Sequence, residues 1–184
     1  VTDVMKKRRK SLIIIHRSHG FKALKLMFEF VADELNLDKS CKNKCWVALY
    51  DKNEDGASLV RKFNDPSNIE GQKIMTMVVD AQNYSEGVSF FGVRDCYLLN
   101  PPMSLGSYEQ RIGRILRACS YQLLPKHKRN TTVYIYVTKD TVDEYLLDKL
   151  TREREIYDSD MKLYFEDPAM DKNFYNLKFL KKMK

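Results

Sequence analysis

Residues 11–20 read Ser11-Leu12-Ile13-Ile14-Ile15, then His16-Arg17-Ser18-His19-Gly20. The first five are a short apolar run, the second five a polar turn, and a helical pattern follows with Leu24, Phe28, Val31 and Leu35 on one side. The alternation recurs along the chain. Trp46 to Tyr50 is a second strand, closed by the turn signal Asp51-Lys52-Asn53-Glu54-Asp55-Gly56, and residues 57–63 make a short helix before Asn64-Asp65-Pro66. Lys73 to Val79 and Asp95 to Leu99 read as the third and fourth strands, a helix spans about 107–120, and Thr131 to Thr138 alternates as a fifth strand. Thr141-Val142-Asp143-Glu144 matches a capping box opening a helix to about Tyr157. Near-continuous apolar strands alternating with helices imply an α/β fold, an open parallel sheet covered on both faces.

The chain has 184 residues and a formal charge of +7. That length suits one domain with a sizeable core, and the basic balance favours phosphate-bearing partners. It begins at Val1 and is expected to be a piece of a longer protein. No apolar run is long enough to span a bilayer, and there is no signal-peptide pattern, so no membrane partner is expected. Cys96 and Cys119 read as reduced core residues; Cys41-x3-Cys45 with His16 and His19 does not match a familiar zinc spacing. Residues 1–10 hold the run Lys6-Lys7-Arg8-Arg9-Lys10, read as a solvated lead-in, with nuclear targeting or nucleic-acid contact as the other reading. Residues 11–157 form the domain, and 158–184 look like an appended helical tail.

The chemistry concentrates in Tyr108-Glu109-Gln110-Arg111-Ile112-Gly113-Arg114-Ile115-Leu116-Arg117. At about 100° per residue, Gln110, Gly113, Arg114 and Arg117 fall within roughly 100° of arc, opposite Tyr108, Ile112, Ile115, Leu116 and Cys119. A glycine inside a helix costs about 1 kcal/mol, so Gly113 calls for a reason such as close approach of a ligand. Two permanent cations in a fixed fork suit a phosphate undergoing transfer. The bare spacing equally describes an amphipathic helix with a solvated basic face.

Ligands of open parallel sheets gather outside the carboxyl ends of the strands. Three segments are expected at that edge. His16-Arg17-Ser18-His19-Gly20 offers N–H groups to a nucleic-acid phosphate, or simply N-capping by Ser18. Asp80-Ala81-Gln82-Asn83-Tyr84-Ser85-Glu86-Gly87-Val88-Ser89 offers hydrogen bonds to phosphate or ribose, or a plain connection. Asn100-Pro101-Pro102-Met103-Ser104-Leu105-Gly106 delivers the chain to the arginine helix.

In order and spacing, these segments resemble motifs IV, V and VI of superfamily 2 helicases and translocases. Gln110-x-x-Gly113-Arg114-x-x-Arg117 matches motif VI in full, Ser85-Glu86-Gly87-Val88-Ser89 resembles motif V, and Ile13 to Ser18 resembles motif IV. Phe63-Asn64-Asp65, Asn68-x-x-Gly71, Val93-Arg94, Ala118-Cys119-Ser120, Leu124-Pro125, Arg129-Asn130 and Thr132-Val133-Tyr134 narrow the likeness to large DNA viruses of poxvirus and asfarvirus type. The pattern is similar to the early transcription factor small subunit and nucleoside triphosphatase I, although Tyr121 stands where such proteins commonly carry histidine.

The resemblance implies a RecA-like C-terminal lobe with a short helical extension. It implies that Arg114 and Arg117 are arginine fingers for ATP, with Gln110 near the γ-phosphate. Gly87, Ser89 and Gly113 would lie beside the nucleotide. Arg17, Ser18, Asn83, Tyr84 and Ser85 would hold a DNA or RNA backbone. There is no G-x-x-x-x-G-K-[ST], and the Asp-Glu pairs Asp33-Glu34 and Asp143-Glu144 sit in helical patterns. The P-loop and the carboxylates for Mg2+ are therefore expected on an N-terminal RecA-like lobe of the same protein, and this lobe alone is expected to be inactive. The resemblance further implies a viral RNA polymerase or transcription factor subunit as partner, and a place in the host cytoplasm and virion core. The competing expectation is a non-catalytic module that binds nucleic acid or polymerase. A doubly wound small-molecule enzyme finds no nucleophile–base pair and no G-x-G-x-x-G.

Overall fold

The computed structural model describes residues 4, 7, 9–16, 18, 20–34, 45–50, 56–81 and 88–164. Five strands, β1 (Ser11–Ile15), β2 (Cys45–Tyr50), β3 (Ile74–Asp80), β4 (Asp95–Leu98) and β5 (Thr132–Ile135), form one sheet in the order β2-β3-β1-β4-β5. Every pairing is parallel, with Ile13 opposite both Val78 and Tyr97. All residues of β1, β3 and β4 are buried, which is why they read as apolar runs and not as alternating ones.

Among the described residues, helices α1 (Phe21–Glu34), α2 (Gly56–Asn64), α3 (Leu105–Gly113) and α4 (Val142–Tyr164) cover the sheet. On one face Leu24 and Phe28 of α1 pack on Ile13, Ile15, Val78 and Tyr97. On the other, Phe63 of α2, Tyr108 and Ile112 of α3 and Leu150 of α4 close over Leu12, Ile14, Met77, Val79, Cys96 and Leu98. The α/β expectation is met, with helices on both faces.

Local chemistry sets the helix ends. Thr141 Oγ1 accepts the Asp143 N–H at 3.2 Å, and the Glu144 carboxylate accepts from the Asp140 N–H at 3.2 Å. The capping box at the start of α4 is thus present in shifted form, its acid reaching one residue further back. Both carboxylates of the Asp143-Glu144 pair cap backbone, since Asp143 also accepts the Thr138 N–H at 3.1 Å. α4 runs to Tyr164, through the boundary expected at 157, and 165–184 lie outside the described residues. Glu153 of α4 accepts the Leu105 N–H at 2.7 Å, and Arg154 pairs with Glu109 at 3.2 Å. A carboxylate therefore fills the positive end of α3 and clamps the two helices together.

The basic lead-in is only partly solvated: of its described residues Lys7 is exposed, Arg9 half-buried and Lys10 buried. Lys10 is fully buried, its Nζ donating to the Phe63 carbonyl at 2.6 Å and lying 4.1 Å from the Phe63 ring centre. Burial pushes its pKa down to about 7, against the upward pull of Asp65. Arg9 lies 3.6 Å from the buried Asp95, and Lys7 donates to the Tyr134 hydroxyl at 2.9 Å. The run reads as surface from charge alone because a lysine stem can cover apolar groups while its ammonium finds a ring and a carbonyl.

Candidate functional site

The carboxyl edge of the sheet opens beside β1. The Ala81 N–H donates to the Ile15 carbonyl at 2.9 Å, and Asn100 Oδ1 accepts the His16 N–H at 3.3 Å. These bonds bring the ends of β1, β3 and β4 together, as the fold requires. Ser18 is exposed there, its hydroxyl 2.7 Å from His16 Nδ1. It does not close the helix: α1 starts at Phe21, and the Gly20 carbonyl accepts the Leu24 N–H at 3.1 Å. Arg17, Asn83, Tyr84, Ser85 and Gly87 lie outside the described residues.

The Arg94 N–H donates to the Lys10 carbonyl at 2.8 Å, so residues 88–94, with Phe90 and Val93 buried in the core, form a descending segment that ends at the amino end of β1. On the way the Phe90 N–H donates to the Arg114 carbonyl at 3.0 Å and the Gly92 N–H to the Ser120 carbonyl at 2.9 Å. Phe90, the residue after Ser89, is thereby joined to Arg114 by one hydrogen bond.

The arginines do not share one helix. α3 ends at Gly113, Arg114 is its C-cap, and Arg117 has extended backbone (φ −75°, ψ 145°) before a 3₁₀ turn, Ala118–Tyr121. The helix expected over 107–120 stops early because the Ile115 and Leu116 N–H groups converge on the Ile112 carbonyl at 2.9 and 3.0 Å, tightening the last turn. Ile115 stays buried across the break, so the apolar spacing continues where the helix does not. Cys119 is exposed instead of core, whereas Cys96 is buried as expected, its thiol pushed up by burial. Gly113 ends the helix and does not interrupt it, and a Cβ there would meet nothing within 4 Å. The helix-interior penalty is removed, and the space beside it is open.

Gln110, Gly113 and Arg117 are exposed and Arg114 is half-buried. Glu109, the nearest acid in sequence, is paired with Arg154. The donor set is two guanidiniums and an amide; it fits phosphate oxygens and offers no carboxylate to a metal. Among the described residues no cluster of His, Cys, Asp and Glu can hold a metal ion. Tyr121, standing in the histidine position, hydrogen-bonds Thr131 Oγ1, which donates to the Val93 carbonyl at 2.7 Å. It ties the turn after Arg117 to the entrance of β5.

Sequence reasoning missed Asn64, whose side chain spans the descending segment: Nδ2 donates to the Ser89 carbonyl at 2.7 Å and Oδ1 accepts the Phe91 N–H at 2.8 Å. Its only signal was membership of Phe63-Asn64-Asp65.

No family model matches the chain. It is 24% identical over 148 residues to a protein of Acanthamoeba polyphaga mimivirus named as an ATP-dependent RNA helicase, covering 68% of this chain and 18% of that protein. It is 33% identical over 76 residues to the early transcription factor large subunit homolog of African swine fever virus, covering 41% of this chain and 7% of that protein. The chain resembles viral helicases. The expected kin included the small subunit of the early factor; the relative found is the large one. The chain spans less than a fifth of the length of these relatives. In fold it is similar to the C-terminal part of the Fun30 ATPase domain, with a TM-score of 0.55 at 15% identity over 79% of this chain and 40% of that one. The architecture is a RecA-like lobe. No helix among the described residues is long and apolar enough to cross a membrane.

Proposed function

We propose that this chain is the C-terminal motor lobe of an ATP-dependent nucleic-acid helicase or translocase acting in viral early transcription. The observation that carries the reading is the hydrogen bond from Phe90 N–H to the Arg114 carbonyl, which joins the segment after Ser89 to the arginine-bearing one. Two stretches that the motif pattern assigns to one nucleotide are thus physically adjacent.

When bound on an N-terminal lobe, ATP with Mg2+ would supply a γ-phosphoryl group for transfer to water, with ADP as the leaving group. Arg114 and Arg117 place permanent positive charge against phosphate oxygens as charge builds there, a contribution worth about 10³–10⁵ in rate. Gln110 hydrogen-bonds near the same oxygens, Gly113 leaves room for their approach, and Gly87 and Ser89 flank the nucleotide. Arg17, Ser18, Asn83, Tyr84 and Ser85 hold the DNA or RNA backbone, contacts that do not read sequence. The partner is the N-terminal lobe first, then a viral polymerase or transcription factor subunit, in the host cytoplasm and virion core.

The test is ATP hydrolysis by the full-length protein with and without nucleic acid. Turnover that rises when single- or double-stranded nucleic acid is added supports the motor. Nucleic-acid binding without any turnover supports the non-catalytic module instead.

A further inference from the structure

Asn64 closes α2 and takes no part in the roles above. Its amide holds Ser89 and Phe91 from one side, through one donated and one accepted bond. Phe90, between them, turns its N–H the other way, to Arg114, and Gly92 does the same to Ser120. The descending segment therefore lies like a strand between two neighbours, one of them a single side chain. The Phe90 ring is fully buried and meets Phe63 edge-on at 5.8 Å, which fixes the segment in the third direction. Any slip of residues 89–91 along the chain would break the Asn64 pair and the Arg114 bond together.

Asn68, four residues on, is the natural contrast. It is fully buried and makes more bonds: it donates to the Phe63 and Ile74 carbonyls at 2.9 and 3.1 Å and accepts from the Lys73 and Ile74 N–H groups at 2.7 and 2.8 Å. Every one of them lies between the last turn of α2 and the first residue of β3. Asn68 braces its own turn; Asn64 braces the neighbour of Arg114.

We infer that Asn64 is a positioning residue for ATP hydrolysis, setting where Arg114 stands through the Ser89–Phe91 segment. The inference rests on the reading of Arg114 as an arginine finger. Asparagine is required because the site needs a donor and an acceptor at once; aspartate keeps the acceptor facing Phe91 and loses the donor facing Ser89.

The experiment is nucleic-acid-stimulated ATP hydrolysis by the full-length protein, at a temperature where circular dichroism shows each variant folded. Asn64→Ala is expected to lower kcat about tenfold, equivalent to about 1.4 kcal/mol, with KM for ATP within about twofold. Asn64→Asp should fall between it and wild type, and Asn68→Ala should lower Tm with kcat unchanged. In the Arg114→Ala background, Asn64→Ala should cost nothing further, since its effect passes through Arg114. An Asn64→Ala variant with wild-type kcat overturns the inference, as does one whose loss multiplies fully with that of Arg114→Ala. If Arg114→Ala itself keeps wild-type turnover, the finger reading falls and takes the inference with it. If Arg114→Ala is crippled and Asn64→Ala is not, the inference alone falls.

Discussion

At the amino edge of the sheet, cationic and amide side chains point back at the chain's own backbone. Arg94 donates to the carbonyl and the side chain of Asn130 at 3.1 and 2.9 Å, and Arg129 to the Leu124 and Gln122 carbonyls at 2.7 and 3.1 Å. Lys10 caps Phe63, and Asn68 closes its own turn. At the end of α3 the chain also carries arginines, but there Arg117 and Gln110 face outward beside a glycine with open space. The same residue types serve as staples at one end, and at the other Arg117 and Gln110 are exposed. Basic charge alone does not separate the two regions; what separates them is that Arg94 and Arg129 are engaged by backbone while Arg117 is exposed.

Gly92 sits where the descending segment passes from one region to the other, and it should break the comparison hardest. Its φ is +69°, and a Cβ would lie 2.4 Å from the Ile69 carbonyl oxygen. Gly92→Ala is expected to destabilise by on the order of 3–5 kcal/mol in urea unfolding. A loss under 1 kcal/mol would mean that the two regions are less tightly joined than described. Asn68→Ala strands several buried backbone groups and should cost about 3 kcal/mol.

Lys10 sharpens the comparison through pH. Its folded pKa, pushed down to about 7 by burial, lies below the ordinary value of 10.5. The unfolded chain then binds more protons between those values, so stability should rise as pH climbs from about 7 towards 10.5. Lys10→Met should flatten that slope; an unchanged slope would place the ammonium in water. The smallest effect belongs to Arg117→Ala, whose stability should stay within about 0.5 kcal/mol of wild type by the same unfolding measurement. A larger loss would make Arg117 another staple.

The strands were legible because a sheet buried on both faces needs unbroken apolar runs. Ser11–Ile15 is matched residue for residue, and the other four strands overlap their expected spans. The break after Gly113 was not legible, because Ile115 remains buried through the tightened turn and keeps the helical period alive. Nor was Cys119's exposure, which follows from that break. Asn64 escaped notice for a different reason: its partners lie 25 and 27 residues away, and no local pattern encodes a side chain standing in for a strand. Lys10 hid in a charge run because a buried lysine and a solvated one look alike in sequence.

The most direct test sets Arg117→Ala beside Arg94→Ala in the full-length protein and measures nucleic-acid-stimulated ATP turnover and Tm for both. The account predicts that Arg117→Ala loses at least about a hundredfold in kcat with Tm unchanged, while Arg94→Ala loses about 1–2 kcal/mol of stability and keeps the turnover of the folded molecule. Wild-type turnover in Arg117→Ala, or a loss of turnover confined to Arg94→Ala, would contradict it.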